Sequence, residues 1–286
     1  MAYPVARPVA RAPVVAAARL LRPGNALITA AAVATGAYVA AGTPALHAWP
    51  VVLAAAFAAF ACAAAGNVLN DVRDVGIDRL AHPDRPLVRG DLSPKTAGVL
   101  VWVLFALALA AAAYAWVTAL LITLLAIGLL LWYEFQLKAE GLPGNLVVAL
   151  LTGLPFLLGA AVLGHPFSPA AWTLALLAAA ATLGRELVKD VQDHAADEGR
   201  HTFPRRYGVR RGRQAAAAAF LLAVAASPLV LLVPEGFGLL YLALVVPADA
   251  LFVYAAFTPD PARASAAAKG AMVVGLAAFV GGRWAA

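Results

Sequence analysis

Runs of apolar residues recur along the whole chain, each long enough to cross a hydrocarbon core of about 30 Å. They predict nine spanning helices, near 25–42, 48–70, 95–113, 116–133, 145–163, 169–186, 214–232, 237–257 and 267–284. Between them the polar residues are unequally shared. The connections around Thr43–Ala48, Tyr114–Ala115, Gly164–Ser168 and Pro234–Gly236 are tight turns, whereas 71–94 and 187–213 are long and polar. Loops of that length inside a compact membrane bundle are usually functional. The pattern predicts an all-α polytopic membrane protein, a bundle of nine transmembrane helices.

Each long connection opens on the same polar pattern. The first is Asn67-x-x-Asn70-Asp71-x-x-Asp74-x-x-x-Asp78 and the second Glu186-x-x-Lys189-Asp190-x-x-Asp193-x-x-x-Asp197. Corresponding positions are 119 residues apart (190 − 71 and 193 − 74). At roughly 100° per residue, Asn67, Asp71, Asp74 and Asp78 fall within about 60° of one helical face, and the second set is expected to overlay on the first. The repeat marks residues 1–286 as one domain with two pseudo-repeated halves, about 1–140 and 141–286.

Composition agrees with the membrane reading. The chain is 63% hydrophobic and 13% charged, with a mean hydropathy of +0.84, against about 25% charged residues in soluble domains. The net charge of +6 does not imply nucleic acid. With the N-terminus in the cytoplasm, 20 of the 21 basic residues fall on the cytoplasmic side and only Arg283 outside. That is the split the positive-inside rule demands, and it fits an odd number of spans. Arg205 to Arg213 serve chiefly this anchoring, next to anionic headgroups. Cys62, the only cysteine, has no partner for a disulfide or a metal site and is expected to be an inert core thiol.

Three like charges within two helical turns, at the edge of a low-dielectric region, repel one another. Mg2+ relieves that repulsion, because it takes one or two carboxylates and keeps its other positions for water and phosphate oxygens. Asn67 and Asn70 add amides that can hold phosphate without more negative charge. A solvated helix end, with Asp74 paired to Arg73 or Arg79, would explain one ladder; its recurrence at identical spacing argues against that. Cations follow both ladders: Arg85 in a proline-stiffened loop, and Arg185 and Lys189 beside the second. Guanidinium forks and ammonium groups suit phosphate oxygens.

Residues 67–93 (NVLNDVRDVGIDRLAHPDRPLVRGDLS) and 185–204 (RELVKDVQDHAADEGRHTFP) together resemble the UbiA superfamily of intramembrane prenyltransferases. The likeness covers the whole chain, including Arg22-Pro23-Gly24-Asn25 at the first span. It implies a helical bundle around a central cavity that opens sideways to lipid, with Mg2+ at two aspartate-rich motifs. A prenyl group passes from a polyprenyl diphosphate to a lipophilic acceptor. Within the family, Arg185-Glu186-x-x-Lys189-Asp190-x-x-Asp193 and the segment Tyr133…Lys138…Gly144-Asn145…Thr152-Gly153 resemble the branch that builds archaeal-type ether lipids. That branch implies geranylgeranyl diphosphate as donor and the hydroxyl of geranylgeranylglyceryl phosphate as acceptor; an aromatic or chlorin acceptor of quinone or pigment synthesis is the alternative. Ala196 stands where these branches carry glycine.

On this reading Asp71, Asp74, Asp190 and Asp193 are first metal ligands, with Asp78 and Asp197 binding through water or orienting arginines. Arg85 and Lys189 grip the diphosphate, with Glu186, Asn67 and Asn70 beside them. Arg22, Lys138 or Arg185 serve a phosphate on the acceptor. Tyr133 and Phe156, taken to lie near the cytoplasmic half of their spans, offer aromatic faces to an allylic cation, each worth about 0.5–2 kcal/mol. Asn25 and Asn145 are expected to line the cavity. Asp249, a carboxyl within the eighth span, is expected to bind acceptor or steady a basic side chain. A multi-pass protein of the plasma membrane follows, its active site open toward the cytoplasm, with the bilayer and two lipid substrates as partners and no protein partner. A carrier would need comparable polar residues at both faces, and the two ladders lie on one.

Overall fold

The protein, seen here in a computed structural model, is described at residues 13–194 and 201–284. Thirteen α-helices follow one another among the described residues: α1 (Pro13–Leu21), α2 (Pro23–Ala41), α3 (Pro44–His47), α4 (Trp49–Ala81), α5 (Pro86–Arg89), α6 (Pro94–Ala115), α7 (Val117–Trp132), α8 (Leu142–Val162), α9 (Pro169–Gln192), α10 (Phe203–Tyr207), α11 (Val209–Ala226), α12 (Leu239–Phe257) and α13 (Pro261–Trp284). A π turn (Tyr133–Leu137) joins α7 to the α8 approach, and a 3₁₀ turn (Ser227–Leu232) extends α11. Nine of these segments are long and apolar enough to cross a membrane. They are the nine that the hydropathy pattern predicts.

Local chemistry sets the helix ends. Proline opens α2, α6, α9 and α13, where its missing N–H costs nothing and its fixed φ is already helical. Ser93 and Ser168 cap α6 and α9 by accepting from the backbone N–H of Thr96 and Ala171, at 3.1 and 3.2 Å. The sequence placed the end of the second span at 70, yet α4 continues to Ala81. In its polar last turns Asp71, Asp74 and Asp78 meet neighbouring cations, while Arg73 and Arg79 stand exposed off that face.

Small residues let the spans approach closely, as expected where lipid gives no hydrophobic drive to associate. A Cβ on Gly36 would lie 2.0 Å from the Phe156 carbonyl oxygen, and one on Gly159 only 1.9 Å from that of Val33. The α2–α8 crossing is therefore backbone against backbone. From α6 the packing runs through α4, α2, α8, α9 and α11 to the α12–α13 pair, with α7 against α6 and α8. At the end remote from the ladders, Glu235 accepts from Ser168 Oγ (2.5 Å) and the Ala170 N–H (3.2 Å), while Arg283 donates to the Glu235 carbonyl. These bonds tie α9 and α13 to the turn before α12.

Candidate active site

Because α4 stays helical through its polar end, the first ladder does share one face, and each of its carboxylates meets a cation. Asp71, almost fully buried, lies between Arg22 and Arg85; the Arg85 Nη1 also pairs with Asp78. Lys138 Nζ donates to both oxygens of Asp74, at 2.8 and 2.9 Å. The alternative pairing of Asp74 with Arg73 or Arg79 is not what forms; Arg73 lies instead over the Phe135 ring, 4.9 Å from its centre. Arg22 stands at the break between α1 and α2 with φ 46° and ψ 62°. It is the only described non-glycine residue with positive φ. That left-handed backbone costs on the order of 1–3 kcal/mol and is held by its surroundings. Here the Asn67 amide donates to the Leu21 carbonyl at 3.0 Å and Arg22 reaches Asp71, so the break is fastened to the ladder at two points.

The second ladder is built differently. α9 ends at Gln192, so Asp193 occupies the C-cap with φ −89° and ψ 1°. The expected helical overlay therefore holds through Asp190 and fails at Asp193. Asp197 lies outside the described residues. Asp190 accepts from Asn145 Nδ2 at 2.7 Å. Glu186 is shared by Arg185 (3.0 Å) and Lys189 (2.9 Å), and among the described residues the buried Nε of Arg185 has no hydrogen-bond partner.

One short segment joins the two ladders. The π turn closes with Lys138 N–H donating to the Tyr133 carbonyl at 2.9 Å, and seven residues further on (145 − 138) Asn145 sits in the first turn of α8. Lys138 bonds the first ladder and Asn145 the second. The chain returning from the second ladder lies on the same segment: the His201 N–H donates to the Ala139 carbonyl at 2.7 Å. Gly141, at φ +65°, passes so close that a Cβ there would meet the His201 carbonyl oxygen at 2.6 Å. Glu134, not singled out in the sequence, is buried in this turn; it accepts from Asn70 Nδ2 (3.2 Å) and from Lys138 Nζ (3.0 Å). Its signal was present: an acid four residues before Lys138, and so on the same helical face.

Behind the ladders lies an apolar cavity of ≈ 580 Å³, within the about 300–1,000 Å³ of small-molecule sites. All the spanning helices but α6 contribute to its wall. Asn25 and Asn67 line it at the ladder end, and Tyr241, Phe279 and Val245 close it at the other. Ile28 of α2 and Val273 of α13 line the cavity while remaining 68% and 70% exposed, so the wall is open sideways between those two helices. Free Cys62 is one of the buried lining residues.

Several expected lining residues are placed otherwise. Asn25 does line the cavity, but Asn145 turns to Asp190 instead. Phe156 is a lining residue, yet it lies 14 residues (156 − 142) into α8, about 21 Å from the ladder end at 1.5 Å per residue. It packs with Tyr241 and Phe279, so its face is remote from any chemistry at the ladders, contrary to the placement expected for it. Tyr133 stands in the π turn, its ring 3.4 Å from where a Cβ on Gly144 would be. Asp249 lines the far half of the cavity and pairs with the Ser227 hydroxyl at 2.6 Å, a neutral partner rather than the basic one considered.

Among the described residues no three His, Cys, Asp or Glu side chains converge on one point to make a ready metal cage. The donors are nonetheless all hard carboxylate oxygens: Asp71, Asp74 and Asp78 are bonded to cations and Asp190 to an amide. Such a set suits Mg2+, which keeps most of its coordination sphere for water and phosphate oxygens. The residues fit an ion that arrives with a diphosphate.

A spanning bundle with charged clusters at one end of an apolar, laterally open cavity has the shape and charge to take a lipid with an anionic head. The chain belongs to the UbiA prenyltransferase family, whose model matches residues 26–280, and it is a prenyltransferase. It is 39% identical to the digeranylgeranylglyceryl phosphate synthase of Haloquadratum walsbyi over 92% of this chain and 93% of that one. It is 40% identical to the enzyme of that name from Halobacterium salinarum, over 92% and 95%. A solved structure described as digeranylgeranylglyceryl phosphate synthase superposes with a TM-score of 0.79 at 29% identity, covering 95% of this chain and 99% of that one. A UbiA homologue from Archaeoglobus fulgidus, solved bound to GPP and Mg2+, shares the fold at a TM-score of 0.61 and 16% identity, covering 92% and 99%.

Proposed function

We propose that this prenyltransferase moves a geranylgeranyl group from geranylgeranyl diphosphate to the free hydroxyl of geranylgeranylglyceryl phosphate, with Mg2+, at the cytoplasmic face of the plasma membrane. The observation that carries this reading is the segment from Lys138 to Asn145, which bonds both ladders beside the mouth of an apolar cavity. A diphosphate there meets carboxylates from α4 and α9, and its tail has an apolar channel to enter. The similarity to synthases of that name supports the choice of acceptor.

In this mechanism Asp71 and Asp74 would hold one Mg2+ and Asp190 and Asp193 the other, which would supply positive charge against that growing on the leaving diphosphate. Arg85, released from Asp71 and Asp78, and Lys189, released from Glu186, bind diphosphate oxygens directly. The allylic C–O bond breaks and its electron pair leaves with the diphosphate. The acceptor hydroxyl supplies the pair for the new ether bond, and its proton departs with the diphosphate. Apolar walls from α2, α4, α7 and α8 keep water from the cation meanwhile. Arg185, whose buried Nε has no hydrogen-bond partner among the described residues, meets the acceptor phosphate in this reading. Arg22 orients Asp71, and Asn67 fastens the α1–α2 break.

The test offers purified protein geranylgeranyl diphosphate and Mg2+ with geranylgeranylglyceryl phosphate, 4-hydroxybenzoate and homogentisate side by side, and reads products by mass. Digeranylgeranylglyceryl phosphate is expected. A prenylated aromatic as the main product would overturn the assignment of the acceptor.

A further inference from the structure

Glu134 has no role in the account so far, although it touches two members of the first ladder's surroundings. Its carboxylate is buried, with a side chain 4% exposed, and binds both the Asn70 amide and the Lys138 ammonium. That ammonium is at the same time spread over both oxygens of Asp74. Two anions thus compete for one cation, and the π turn is what makes the arrangement possible. Its i→i+5 closure widens the helix at the point where Glu134 and Lys138 both turn toward α4, and such turns are frequent at functional sites.

For Asp74 to bind a metal, Lys138 has to leave it. Both side chains are only 16% exposed, so the ammonium cannot simply turn out into water; it needs an anion within reach. Glu134 is that anion, already 3.0 Å from the nitrogen. We propose that Glu134 is a positioning residue: it retains Lys138 when Asp74 turns to Mg2+, and so sets how readily the first ladder takes the ion. The inference rests on the metal–diphosphate reading above and goes beyond it in assigning a residue with no contact to substrate.

The test is a double-mutant cycle read by binding instead of turnover. Thermal unfolding of the detergent-solubilised protein is followed against MgCl2 at fixed geranylgeranyl diphosphate, with no acceptor present. Glu134→Gln keeps an oxygen for Asn70 and is the variant chosen to preserve the fold; it is expected to raise the Mg2+ midpoint about 10-fold, as typical for a group that orients a metal ligand. In a Lys138→Met background the same change is expected to move the midpoint by less than about twofold, because the two residues act as a pair. An equal shift in both backgrounds, as loss of a negative charge or of packing would give, overturns the positioning role alone. No Mg2+-dependent stabilisation of the unmutated protein would overturn the metal reading together with it.

Discussion

Asp71→Ala is expected to lower prenyl transfer by about 10²–10³-fold or more, the loss seen when one preorganised stabiliser of transition-state charge is removed. Asp71 holds a more central place than a single such group. It neutralises Arg22 and Arg85 together, and through them fixes the α1–α2 break and the loop before α5. Without it, Arg85 falls back on Asp78 and Arg22 loses its anion, so the two cations that frame the first ladder are misplaced as well as one metal ligand lost. The fold itself is expected to survive, because Arg22 and Arg85 are 34% and 25% exposed and can reach water. Asp190→Ala on the second ladder is expected to act alike, since it also frees Asn145. Turnover measured beside the thermal midpoint checks both: near-normal turnover in either variant would contradict the two-ladder assignment.

The largest expected effect on stability is at a glycine remote from any charge. A Cβ on Gly159 falls 1.9 Å from the Val33 oxygen and 2.7 Å from the Ala37 nitrogen, whereas carbon and carbonyl oxygen in contact stand about 3.3–3.6 Å apart. Gly159→Ala therefore has to push α2 and α8 apart by more than about 1 Å, and no flexible side chain is there to give way. The penalty is expected at or above the about 1–3 kcal/mol of ordinary overpacking, seen as a lower thermal midpoint and a poorer yield of monodisperse protein. Because α2 and α8 carry Asn25 and Asn145, the site at one end and the cavity wall between shift with them. Gly98→Ala in α6, where nothing lies within 4 Å, is the control, and helix propensity makes it neutral or stabilising. Equal midpoints for the two variants would contradict the close crossing.

The spans were legible because lipid demands long apolar runs, and both ladders were legible because the same polar spacing occurs twice. Boundaries were less so wherever a helix leaves the apolar region. α4 runs on through its charged turns to Ala81, and α11 begins among arginines at Val209, since hydropathy reports the lipid and not the backbone. Periodicity correctly put Asp71, Asp74 and Asp78 on one face, but it could not tell that α9 stops at Gln192 while the same spacing in α4 stays helical. Pairings were least legible. Nothing in the local sequence says that Lys138, 64 residues from Asp74 (138 − 74), is its partner, or that Arg22 takes a left-handed backbone to reach Asp71. Glu134 carried a local signal in its i,i+4 spacing to Lys138, but its bond to Asn70 and the Lys138–Asp74 pair that gives it meaning are set by tertiary packing.

A map of the protein in lipid nanodiscs, with Mn2+ in place of Mg2+ and a non-cleavable geranylgeranyl diphosphate analogue, tests the central claim most directly. The account predicts metal beside Asp71 and Asp74, metal beside Asp190 and Asp193, one diphosphate between them and its tail in the cavity behind Asn67. A diphosphate held by one ladder alone, with the other still engaged in its ion pairs, would contradict it.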